Sequence, residues 1–102
     1  MSDAHSVNLL RSYLLQSREL VEVYANEPAA KKHLGLLDQL LGPYVATVSA
    51  GKVKVTDHDL RVVESHLKKS REAQARGSLR ELLDHNRAMI SALPGDPLTV
   101  PR

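Results

Sequence analysis

The stretch LLGPYVATVSAG (residues 40–51) decides how this chain is read. Gly42 and Pro43 interrupt an apolar pattern of helical period that starts at Ala30 and runs through Leu34, Leu37 and Leu41, with Leu36 and Leu40 beside it. A loop built to hold a ligand has no reason to keep that phase, yet Tyr44, Val45 and Val48 continue it. Pro43 has no N–H to give to the Gln39 carbonyl, and its ring crowds that turn. Two helical readings stand. Either one helix kinks at Gly42 and Pro43, or a new helix starts with Pro43 in its first position. In both, Tyr44, Val45 and Val48 face the core, and Gly51 ends the segment.

Upstream, residues 4–25 read as a helix with two adjacent apolar stripes. Val7, Leu10, Leu14, Val21 and Tyr24 make one, and Leu9, Tyr13, Leu20 and Val23 the other. The sequence ANEP then stops the helix, because residues before a proline avoid the α region, and Pro28 is suited to open the next one. Downstream, GKVKVT reads as an extended connector. Thr56 is placed to cap a helix whose first turn holds Asp57 and Asp59, where carboxylates complement the helix dipole. Leu60, Val63 and Leu67 supply its apolar stripe, after which KKSREAQARG reads as an exposed, polar helical end. Ser78 and Glu81 fit a capping box ahead of Leu79, Leu82, Leu83, Met89, Ile90 and Leu93. Gly77 either breaks two helices or sits inside one long one, since Ala75, Leu79, Leu82, Met89 and Leu93 can share a face, and the break is the favoured reading. Three prolines and a glycine after Leu93 set residues 94–102 apart as an extended or flexible tail. The expected fold is all-α: three to four amphipathic helices in a small antiparallel bundle spanning residues 1–93.

Composition narrows the function classes. The 102 residues contain no cysteine, which excludes disulfides, thiolate chemistry and cysteine zinc sites. No apolar run exceeds three residues, against about 20 needed to cross a bilayer, and the start lacks a secretory pattern, so a cytoplasmic location is expected. There is no Phe and no Trp, only three Tyr. A domain this small buries a modest share of its surface, and self-association as a homodimer would bury more. The net charge of +2 is uneven: residues 1–51 carry four basic and five acidic side chains, and residues 52–102 ten and seven.

Chemical motifs are sparse. His5, His33, His58, His66 and His85 contain no pair one helical turn apart, so no metal site is expected and all five read as surface residues. No phosphate loop, dinucleotide fingerprint or nucleophile elbow is present, and neither an enzymatic activity nor a cofactor is expected. The interleaved basic residues Lys68, Lys69, Arg71 and Arg76 are candidate nucleic-acid contacts, without aromatic stacking partners.

Residues 65–83, SHLKKSREAQARGSLRELL, resemble the central helices of histidine phosphotransfer domains. That resemblance implies that His66 would accept a phosphoryl group, with Lys69 stabilising its charge. Leu67 directly follows the histidine, and Ser70 stands where that family's motif has glycine. Residues 14–32 are similar to the first helix of helical chorismate mutases, which would make Arg18 and Lys31 carboxylate binders. The second-helix Arg-Asp-Glu cluster of those enzymes has no counterpart here.

With no chemistry spelled out, the expected role is protein–protein interaction, as an adaptor, a chaperone-like partner or a regulatory subunit. Docking would use apolar helix faces, with Leu9, Tyr13, Leu20 and Val23 as the contact residues. Binding of nucleic acid through residues 68–87, or phosphotransfer at His66, are the alternatives.

Overall fold

In the computed structural model, which describes residues 4–97, the elements follow the apolar periods of the sequence. Helix α1 spans Ala4–Glu22, α2 Pro28–Gln39, α3 Val45–Ser49, α4 Asp57–Ala75 and α5 Leu79–Ala92. A π-helical turn, Leu40–Tyr44, joins α2 to α3, so residues 28–49 form one continuous helical rod and the chain packs as four rods. No strand occurs among the described residues. The Cα radius of gyration is 13.0 Å, the value expected of a compact chain of about 100 residues.

The π turn resolves the question raised by Gly42 and Pro43. The rod neither stops nor restarts there. It widens by a residue around the missing proline N–H, which is how a helix absorbs such a defect without breaking. The core face is carried through the turn, where the buried stripe steps over by one residue: Leu40, Tyr44, Val45 and Val48 are all buried.

Two glycines end helices in the left-handed region. Gly51 has φ 81° and Gly77 has φ 74°. At each, the following N–H reaches back to close the last turn: Lys52 N to Thr47 O at 3.1 Å, and Ser78 N to Ala73 O at 3.0 Å. These are Schellman closures, which side chains with a Cβ disfavour. At the opposite ends, Thr56 and Asp59 make a full capping box: Asp59 N donates to Thr56 Oγ1 at 3.1 Å and Thr56 N to Asp59 Oδ2 at 2.9 Å. Ser78 caps α5 in only one direction. Its Oγ accepts from Glu81 N at 3.3 Å, while the Glu81 carboxylate turns instead to Arg76 at 2.7 Å.

The core gathers Leu10, Leu14, Val21, Leu37, Leu40, Tyr44, Val48, Val63, Leu82 and Met89, all fully buried. Helices α4 and α5 make the most extensive pair, with α1 laid against them. The polar end of α4 is exposed at most positions, and the expectation is corrected at two of them. Ser70 and Ala73 are fully buried, and Ser70 Oγ donates to Asn86 Oδ1 across the α4–α5 contact at 2.7 Å. Small side chains let the two backbones approach at these two positions, while the rest of the stretch stays largely exposed.

Of the stretch 94–102 set apart as a tail, residues 94–97 fold into a turn fastened to the body. The Tyr44 hydroxyl donates to Pro94 O at 2.7 Å, and Gly95, at φ 77°, lies against Val53. Residues 98–102 lie outside the described part. No helix among the described residues is long and apolar enough to cross a membrane.

Candidate functional site

The groove between α2 and α5 is the part of the surface where open space and unsatisfied polar chemistry coincide. These two helices barely touch, and two depressions lie between their facing sides, with a third alongside on α5 and the turn that follows it. The first, of about 440 Å³, is lined by Ala29, Lys32, His33, Leu36 and Arg87. A second, of about 190 Å³, shares Leu36 and Arg87 with it and adds Ile90 and Ser91. A third, of about 350 Å³, continues past Ile90 and Ser91 to Leu93, Asp96 and Pro97. Leu36, Ile90 and Leu93 give the groove an apolar floor, and Lys32 and Arg87 make one end basic.

His33 is the unexpected member of this groove. It is 1% exposed, and neither ring nitrogen has a hydrogen-bonding partner in the protein. The surface reading of the five histidines is therefore corrected at this position. Position 33 lies three residues after Ala30 and four before Leu37, both fully buried, so the core stripe of α2 runs through it. Burial, with the Arg87 guanidinium close by, pushes its pKa down to about 4. At neutral pH the ring is uncharged and holds one donor and one acceptor. Leaving such a group without partners costs about 1–3 kcal/mol, and packing alone would favour a leucine here.

The basic end is open to solvent. Arg87 is exposed and makes only a long contact of 3.5 Å to Asp84, one turn earlier on α5. Its planar fork of five N–H groups has donors to spare. Ala29 lies in the first turn of α2. Glu27 supplies no side-chain cap to that turn, and Pro28 opens it, so the positive end of the helix dipole is left uncapped beside the cleft.

The residues singled out in the sequence lie elsewhere. Leu9, Tyr13 and Leu20 are partly buried and packed against the core, which leaves only their outer surfaces for a partner. Tyr13 is further tied down, its hydroxyl donating to Glu64 Oε2 at 2.6 Å, and that bond raises its pKa. Val23 is 67% exposed, and Leu15 is the other large apolar side chain in the open. The second stripe of α1 is largely turned inward.

On α4, Lys68, Lys69, Arg71 and Arg76 are all exposed. Arg76 is paired with Glu81, and the Arg71 guanidinium donates to Gln16 Oε1. His66 is partly buried with its Nδ1 unpartnered, and burial, then Lys69 and His85, lowers its pKa. Arg18 bridges α1 to α2 through Asp38 at 2.8 Å and also pairs with Glu22, while Lys31 stands exposed. Among the described residues no group of three or more potential metal ligands comes together.

No protein family, curated protein or solved structure matches the chain. The groove was not apparent from the sequence because it arises from a gap between α2 and α5, elements some fifty residues apart, roughly the separation of His33 and Arg87. The one local signal was a histidine on an apolar stripe.

Proposed function

We propose that the protein is a small helical interaction module, an antiparallel bundle of amphipathic helices. Its docking site is the α2–α5 groove, and its partner is a protein segment carrying apolar side chains and an acidic residue. The observation that supports this most is the layout of the groove: an apolar floor of Leu36 and Ile90, extended along α5 to Leu93, with two cations, Lys32 and Arg87, at its other end. An extended or helical segment docks by seating apolar anchors in such a trough, and charge at its rim fixes direction and speeds association. The α1 face contributes less, because Leu9, Tyr13 and Leu20 are already packed on the core.

Selection of displayed random peptides against the full chain tests this reading. Survivors on the unaltered protein should combine an acidic residue with apolar neighbours, and should be lost on Arg87→Glu. Arg87 is exposed, so that change leaves the fold intact. Peptides retained equally by both proteins would place docking elsewhere. Failure to enrich any peptide would count against a groove built for a protein segment.

A further inference from the structure

The cleft at the basic end of the groove holds a feature that docking of apolar anchors leaves unexplained. His33 lines it with a side chain almost wholly withdrawn from solvent, and neither of its ring nitrogens has a partner in the protein. Buried polar groups in folded proteins are nearly always paired, so an unpaired one at the floor of an open cleft points to a partner supplied from outside. Around it stand Lys32 on the same helix and Arg87 from the facing helix, with the uncapped first turn of α2 at Ala29. Every one of these groups offers positive charge or an N–H. A carboxylate is not among the residues lining the cleft.

We propose that this cleft is a carboxylate subsite in which Lys32, Arg87 and the His33 ring N–H together hold the acidic group of the docked segment. The proposal rests on the docking reading above and names the group that the basic end recognises. Arg87 presents a planar fork that matches the two oxygens of a carboxylate. Lys32 adds a point charge. The His33 ring contributes a short-range donor, whose buried position makes it sensitive to geometry, so it selects for a group that reaches the floor. Leu36, beside Arg87, accepts the apolar side chain next to that carboxylate. The acid could be a side chain or a chain terminus, since both carry the same group.

The test uses the full chain with isotope-labelled histidine and small probes, followed by nuclear magnetic resonance. The probes are N-acetyl-leucine, with a terminal carboxylate, acetyl-Glu-Leu-amide, with a side-chain carboxylate, N-acetyl-leucinamide, with none, and inorganic phosphate. At least one acid should shift the His33 ring resonances saturably and bind about tenfold more tightly than the amide, the usual scale of one charge-assisted hydrogen bond. The better of the two acids tells side chain from terminus. In the variants, where the His33 ring is absent, binding is read from the backbone amide resonances of Leu36 and Ile90. His33→Gln, which keeps a donor, should retain most of the preference, and His33→Leu, which leaves Lys32 and Arg87 in place, should lower it several-fold while the protein still unfolds cooperatively in urea. Equal binding of acids and amide would overturn the proposal, as would a preference undiminished in His33→Leu or phosphate binding more tightly than either acid. Selected peptides that occupy the groove without distinguishing acid from amide would refute the subsite and leave the docking reading standing. Acids that bind at His33 while no peptide covers Leu36 to Leu93 would do the reverse.

Discussion

Ser70 Oγ donates a 2.7 Å hydrogen bond to Asn86 Oδ1 at a point where neither side chain reaches solvent. The bond crosses the α4–α5 contact, the largest in the fold, and the Asn86 amide nitrogen is left without a partner. Ser70→Ala strands the Asn86 carbonyl oxygen as well and should cost about 1–3 kcal/mol in urea unfolding. Replacing both, Ser70→Ala with Asn86→Leu, removes the whole unsatisfied group and should recover most of that loss. A single mutant as stable as the native chain would show that the bond adds nothing to the α4–α5 contact.

His33 makes stability depend on pH in a defined window. Its pKa is about 4 in the folded chain against an ordinary value of 6.5, so the unfolded chain binds the proton more readily. Burial opposes protonation of the ring first, and the Arg87 guanidinium across the cleft adds to it. Its contribution is complete above about pH 6.5 and is lost as pH falls toward 4, a decline on the order of 2–3 kcal/mol. Unfolding free energies measured across that range should flatten in His33→Leu. An unchanged slope would assign the acid sensitivity to other groups.

Tyr13 acts as a clamp between α1 and α4. Its hydroxyl bond to Glu64 is short, 2.6 Å, and reaches across 51 positions of sequence. Tyr13→Phe keeps the ring packed and removes only that bond, so it should lower stability by about 0.5–1.5 kcal/mol without changing peptide binding. Weakened binding with unaltered stability would return α1 to the role of contact surface.

The turn at residues 94–97 offers a steric test. A Cβ at Gly95 would stand 2.8 Å and 3.0 Å from the two methyl groups of Val53, at a φ of 77°. Gly95→Ala should therefore destabilise the protein by about 1–3 kcal/mol through clash and backbone strain. It should also loosen the Tyr44 bond to Pro94, visible as a fall in the tyrosine pKa, which burial now holds high. A neutral outcome would mean that the turn detaches without consequence to the body.

The fold was legible where periodicity and end signals agreed. Thr56, Ser78 and Gly51 mark helix ends in the chain as they do in space, Gly77 is the break favoured over one long helix, and Tyr44, Val45 and Val48 are buried, as a helix rather than a loop requires. What sequence pattern missed was small or polar. Ser70 and Ala73 bury because a close helix contact has no room for larger side chains, and no hydropathy pattern marks them. The π turn follows from Pro43 but lies between the two alternatives that the residues suggested. The groove escaped notice for a different reason. A cavity depends on which helices fail to meet, and neither α2 nor α5 records that in its own residues.

The central claim is that partners dock between α2 and α5, and a charge exchange tests it most directly. An acidic peptide obtained by selection is titrated calorimetrically into the native chain and into Arg87→Glu, beside a version of the peptide with its acidic residue changed to lysine. The account predicts about a tenfold or greater loss when only one partner is altered, and substantial recovery when the lysine peptide meets Arg87→Glu. Equal affinities in all four combinations would contradict it.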